Sequence, residues 1–107
     1  MQTYRIENFV GGWFAGQFKP NIFPTKDFEL AVKYYKAGDK DKKHYHKIAK
    51  EITCVIYGKV RINGQVFVAG DIIEINPLEV SAFDVIEDAC NVVLKVPGEL
   101  NDKYEVE

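Results

Sequence analysis

Long apolar runs, Cys-x-x-Cys pairs and a large net charge are all missing from this sequence. No apolar run approaches the length that crosses a bilayer, and Met1-Gln-Thr-Tyr-Arg-Ile lacks a signal-peptide core, so a cytoplasmic chain without a membrane partner is expected. A formal net charge of −2 gives no general attraction to nucleic acid or anionic membrane, and partners must be sought in a site. Cys54 and Cys90 form no Cys-x-x-Cys pair. Each lies in or at the start of an apolar run, where a free cysteine acts as a small buried hydrophobe; a disulfide or metal role is the alternative. Gly11-Gly12 is no phosphate loop, because neither a Gly-x-Gly-x-x-Gly spacing nor a Gly-Lys-Ser/Thr accompanies it. No repeat, linker or low-complexity stretch divides the 107 residues, which suffice for one core and are too few for two.

What is present is β-forming. Val (12) and Ile (10) far outnumber Leu (4), and aromatics add 13%, a composition that suits pleated, half-buried strands. Residues 1–27 form an aromatic, glycine-rich arm, 28–96 the core, and 97–107 a polar tail expected along the surface. Phe28, Leu30, Val32 and Tyr34 alternate on one face of a first strand. Glu51, Thr53, Val55 and Tyr57 share a face of the next, with Ile52, Cys54 and Ile56 opposite. Asn63-Gly64 between two apolar runs predicts a type I′ hairpin, because both residues tolerate positive φ. Further strands follow Gly70, span 80–86 and run from Cys90 to Val96. Turns every eight to twelve residues describe an all-β sandwich or closed antiparallel barrel.

Chemistry concentrates between Gly38 and Gly58. On an extended chain His44 and His46 leave the same face while Tyr45 leaves the other. Glu51 opens the next strand, and if that strand pairs with the first, its carboxylate reaches the same point. Two neutral imidazoles and a carboxylate suit a divalent transition metal. Lys40, Lys42, Lys43, Lys47 and Lys50 surround the histidines, either drawing in an anionic substrate or standing as solvated loop charges balanced by Asp39 and Asp41. No activated serine or cysteine constellation supports nucleophilic catalysis.

Gly38, His44, His46, Glu51 and Gly58 match every fixed position of the first cupin motif, and the sequence resembles that superfamily from about Phe28 to Val96. The second motif is only partly present. Gly70 fits, Asn76-Pro77-Leu78 replaces the Pro-x-Gly turn, and Ser81 stands where the family has a histidine ligand. The resemblance implies a small antiparallel barrel, a jelly-roll double-stranded β-helix, with ligand residues pointing inward. It also implies a metal (Fe, Mn, Ni or Zn) at His44, His46 and Glu51, and a sugar-like or small carboxylate substrate. By strand alternation Thr53, Tyr57, Ser81 and Phe83 face the same cavity, with Tyr34 as an extra hydroxyl, and Ser81 is placed to hold a metal-bound water. Cupins include enzymes and pure binding domains, and fold does not choose between them. The alternative reading is a metal-free small-molecule-binding or interaction domain, a homodimer joined through the outer face around Ile52 and Ile56.

Overall fold

A computed structural model describes all 107 residues. Nine strands form where the β-branched and aromatic residues cluster. They are β1 (Trp13–Gly16), β2 (Phe23–Pro24), β3 (Glu29–Tyr35), β4 (Lys40–Tyr45), β5 (Lys50–Ile62), β6 (Gln65–Val68), β7 (Ile72–Ile75), β8 (Ser81–Val96) and β9 (Tyr104–Glu105). Two 3-10 turns, Ile6–Asn8 and Val10–Gly12, precede them. No helix is long and apolar enough to cross a membrane.

The long strands β5 and β8 organise everything else. They pair antiparallel from Lys50↔Val96 to Ile62↔Phe83, with register shifts between Val55 and Val60. On one side of this irregularity β8 also pairs with β3 and β5 with β7. On the other, β8 pairs with β4 and β5 with β6. β1 and β2 extend the first set and β9 the second. Every ladder is antiparallel except β1 with β2. Strands that change neighbours at a bulge bend the sheet round on itself. The result is the all-β antiparallel barrel that the alternation implies.

The Asn63-Gly64 turn has φ of 52° and 80° and joins Ile62 directly to Gln65, as an Asn-Gly hairpin requires. Inside the barrel, Val55, Val60, Val85 and Ala89 form an apolar plug, with Tyr35, Phe67, Ile73 and Phe83 packed against it.

Two expectations about facing are corrected. Tyr34 points outward and is 62% exposed. The inward face of β3 carries Glu29, Ala31, Lys33 and Tyr35, while Val32 on the other face lines a groove with Ile6 and Phe9 of the N-terminal arm. Tyr57 is 47% exposed, because the register shifts on either side of it break the alternation that would have carried it inside. The tail also differs from a polar surface segment. Asp102 is buried, Tyr104 stacks on Tyr45 at 5.4 Å, and residues 99–103 form part of a cavity wall.

Candidate functional site

Beside the apolar plug the barrel opens into a cavity of about 260 Å³. Four strands supply its working side chains: Lys33 and Tyr35 from β3, His44 from β4, Glu51 and Thr53 from β5, and Ser81, Phe83, Asn91 and Lys95 from β8. His46 enters from the turn after β4, and Trp13 from β1. Odd-numbered positions of β3 and of both ends of β8 face inward, which is how one strand period delivers so many polar groups to one space.

The two histidines are both buried, with ring centroids 5.2 Å apart in an edge-to-face arrangement. His44 Nδ1 lies 2.7 Å from the Lys42 carbonyl oxygen, so that nitrogen donates. Burial, then the nearby Lys95 ammonium, pushes His46 down to about 4, leaving it neutral around pH 7. Burial likewise raises the Glu51 carboxyl, against the pull of His44 and Lys95. Ser81 lies opposite His44 in the β4–β8 ladder.

Asp102 anchors the turn that carries the histidines into β5. Its carboxylate accepts from the backbone N–H groups of Lys47 (3.0 Å), Ile48 (3.0 Å) and Ala49 (2.9 Å). Burial works to raise its pKa, but those donors outweigh it and the net direction is down.

Of the residues singled out in the sequence, the cavity gathers His44, His46, Glu51, Thr53, Ser81 and Phe83; Tyr34 and Tyr57 lie outside it. Two buried imidazoles are suitable metal donors, and no group of three or more His, Cys, Asp or Glu side chains is arranged to hold an ion. Sequence reasoning missed Trp13, Lys33, Tyr35, Asn91, Lys95 and Asp102. Their signal was available for the strands: Lys33, Asn91 and Lys95 are polar residues at alternate positions inside otherwise apolar runs, the mark of a wet barrel interior.

No family model matches the sequence. No curated protein matches it. Solved structures do. A conserved protein with a double-stranded β-helix domain from Klebsiella pneumoniae aligns over 100% of this chain and 98% of its own, at 20% identity and a TM-score of 0.71. KdgF from a Halomonas species aligns over 70% and 74%, at 20% identity and a TM-score of 0.63. Oxalate decarboxylase from Bacillus subtilis aligns over 76% of this chain but only 24% of its own, at 19% identity and a TM-score of 0.63. With the wrapped β5–β8 pair and the inward-facing motif residues, these likenesses define the class: the chain has the cupin fold, a jelly-roll double-stranded β-helix.

Proposed function

We propose that this chain takes a sugar-like or small carboxylate molecule into the barrel cavity, with His44, His46 and Glu51 as the polar groups that meet it. The observation that carries the reading is the composition of the barrel interior. A chain this short would gain stability from filling the space with apolar side chains, yet it spends that space on imidazoles, carboxyls, ammoniums and an amide. Among proteins of the same fold, one is named for decarboxylating oxalate, a small carboxylate.

The test is a thermal-shift panel of sugars, sugar acids and small carboxylates on wild type and on Ser81→Leu. Ser81 is buried and lines the cavity, so the added methyl groups occupy ligand space. At least one compound should raise the wild-type midpoint and leave the variant unmoved. A panel that moves neither protein, or both equally, would sink the reading.

A metal form of this reading has a specific basis in the two buried imidazoles, His44 with Nδ1 on the Lys42 carbonyl and His46 with its pKa pushed down by burial. It needs the Glu51 carboxylate to close on them as third ligand for Fe, Mn, Ni or Zn. Bound there, the ion would supply Lewis acidity, while His44 and His46 would hold it and the neighbouring Ser81 would orient a polar group. The metal-free alternative is a homodimer joined through the outer face around Ile52 and the exposed Ile56. Native mass spectrometry of tag-free protein reads both. The metal form predicts one ion per chain in wild type and none in the His44→Ala/His46→Ala variant, and the dimer predicts twice the chain mass. A wild type that stays empty with added metal removes the metal form, and a monomer at micromolar concentration removes the dimer.

A further inference from the structure

We infer, resting on the cavity-binding reading above, that Lys33 and Lys95 form a subsite for an anionic group, a carboxylate or a phosphate, carried by a hydroxylated ligand. Both ammoniums gather over one indole, with Lys33 Nζ at 4.8 Å and Lys95 Nζ at 5.0 Å from the centre of the Trp13 ring. Phe18 stacks on the same indole at 5.8 Å and fixes it. Trp13 is thus a positioning residue that keeps two like charges side by side by cation–π attraction.

Of the carboxylates around the cavity, Asp41 and Asp102 have partners of their own, Glu99 lines the wall without an ion pair, and Glu51 and the buried Glu29 lie on the Lys95 side. Asp41 pairs with Lys103 at 2.9 Å. Asp102 is held by three backbone N–H groups. Glu29 and Glu51 are the cross-strand neighbours of Lys95, but no carboxylate stands within 4.0 Å of either Lys33 or Lys95; all eight ion pairs of the chain lie elsewhere. Lys33 donates to the Gly11 carbonyl at 2.8 Å, a neutral acceptor. Burial lowers the two lysines from their ordinary values, against the longer-range pull of Asp41 and Glu51 on Lys33 and of Glu51, Glu29 and Asp102 on Lys95. Two partly desolvated cations facing one cavity are a preformed demand for an anion.

Asn91 supplies the second, independent mark. It is 1% exposed, lines the cavity, and is the cross-strand neighbour of Lys33. Its Oδ1 has no hydrogen-bond partner in the protein. A buried acceptor without a donor calls for an N–H or O–H from whatever fills the space. An anion alone cannot provide it. A hydroxyl on the same molecule can, which points to a hydroxy acid, a sugar acid or a sugar phosphate.

Trp13 is the only tryptophan in the chain, so its fluorescence reports occupancy beside the lysines. Wild type is titrated with D-glucuronate, D-glucose 6-phosphate and D-glucose at constant ionic strength. At least one of the two anions should bind saturably and at least tenfold more tightly than glucose; which one does so separates carboxylate from phosphate. Lys33→Met and Lys95→Met should each weaken that binding at least tenfold, and Lys33→Arg should keep most of it. Wild type alone provides a further check, since affinity for the anion should fall as potassium chloride rises while affinity for glucose does not. Equal binding of anion and glucose, unchanged in folded Met variants, overturns the subsite and leaves the cavity reading standing. No saturable response to any of the three also overturns it, and the cavity reading is then judged by the wider panel.

Discussion

Replacing Asp102 by alanine should destabilise the protein by about 3 kcal/mol and loosen one wall of the cavity. The side chain sits beyond the end of β8 at Val96, on a tail that has little apolar surface of its own, yet it is 3% exposed. Its carboxylate satisfies the N–H groups of Lys47, Ile48 and Ala49 together. Hydrogen bonds to an ionised acceptor contribute roughly 1.5–3 kcal/mol each, but water can replace the carboxylate at the exposed Lys47 and Ile48. It cannot do so at Ala49, which is 1% exposed, so one N–H would be left orphaned. Loss of the anchor also frees Lys103 from Asp41 and Tyr104 from its place between Tyr45 and the Lys47 ammonium. Urea unfolding at pH 7 measures the cost, and Asp102→Asn, which keeps one acceptor oxygen, should lose about half as much. The pH dependence has a fixed sign. The folded pKa is lowered, so the stabilisation is present above the unfolded value of about 3.9 and is lost as pH falls through the folded one. The gap between wild type and Asp102→Ala should therefore close in strong acid. A wild-type advantage below about 1 kcal/mol at pH 7 would show that the turn holds itself without the carboxylate.

The barrel and the cluster around the histidines were legible because both depend on local spacing. Alternation announces a strand whatever it pairs with, and His44-x-His46 shares a face on any extended backbone. Which face turned inward was not legible for β3. Phe28, Leu30, Val32 and Tyr34 form the more apolar face, and choosing it as the core side is right for a dry barrel. Here the interior is partly polar, and the face bearing Glu29, Lys33 and Tyr35 turns in, while the N-terminal arm lies along the apolar one. Tyr57 failed for another reason. Period-two counting holds only while register holds, and β5 shifts against β8 on both sides of that residue. Asp102 could not be found from spacing at all, since its partners lie more than fifty positions away in the chain. The fourth family ligand position illustrates the limit from the other side. Ser81 was located by counting, and it does face the cavity across from His44, but counting says nothing of whether a metal is held there.

Gly58 and Gly38 close and open the same motif, and alanine substitution should separate their roles. Both have positive φ, 88° and 93°, so alanine at either carries the strain of a conformation that L side chains rarely adopt, about 1–2 kcal/mol. Around Gly38 a Cβ would meet nothing within 4 Å, and the cost should end there. At Gly58 a Cβ would overlap the Asp88 carbonyl oxygen and stand 2.6 Å from the Ala89 Cα, both backbone atoms of β8 that cannot swing aside. Gly58→Ala should therefore cost about 4 kcal/mol, the backbone strain plus the overpacking of a tight contact. The larger loss is tied to the fold's central device. Gly58 lies within the register shifts between β5 and β8, where the close approach of the two backbones lets β5 present Val55 on one side of the irregularity and Val60 on the other to the same apolar plug. Pushing β8 away there separates both valines from Val85 and Ala89 and tilts the half of β5 that carries Glu51 and Thr53 into the cavity. Chemical denaturation of the two variants side by side reads the difference. Equal losses would mean that positive φ alone explains both glycines, and that the β5–β8 contact has room to spare. A loss at Gly58 larger by about 2 kcal/mol or more would establish that the last glycine of the motif acts on the cavity through the bend in the sheet.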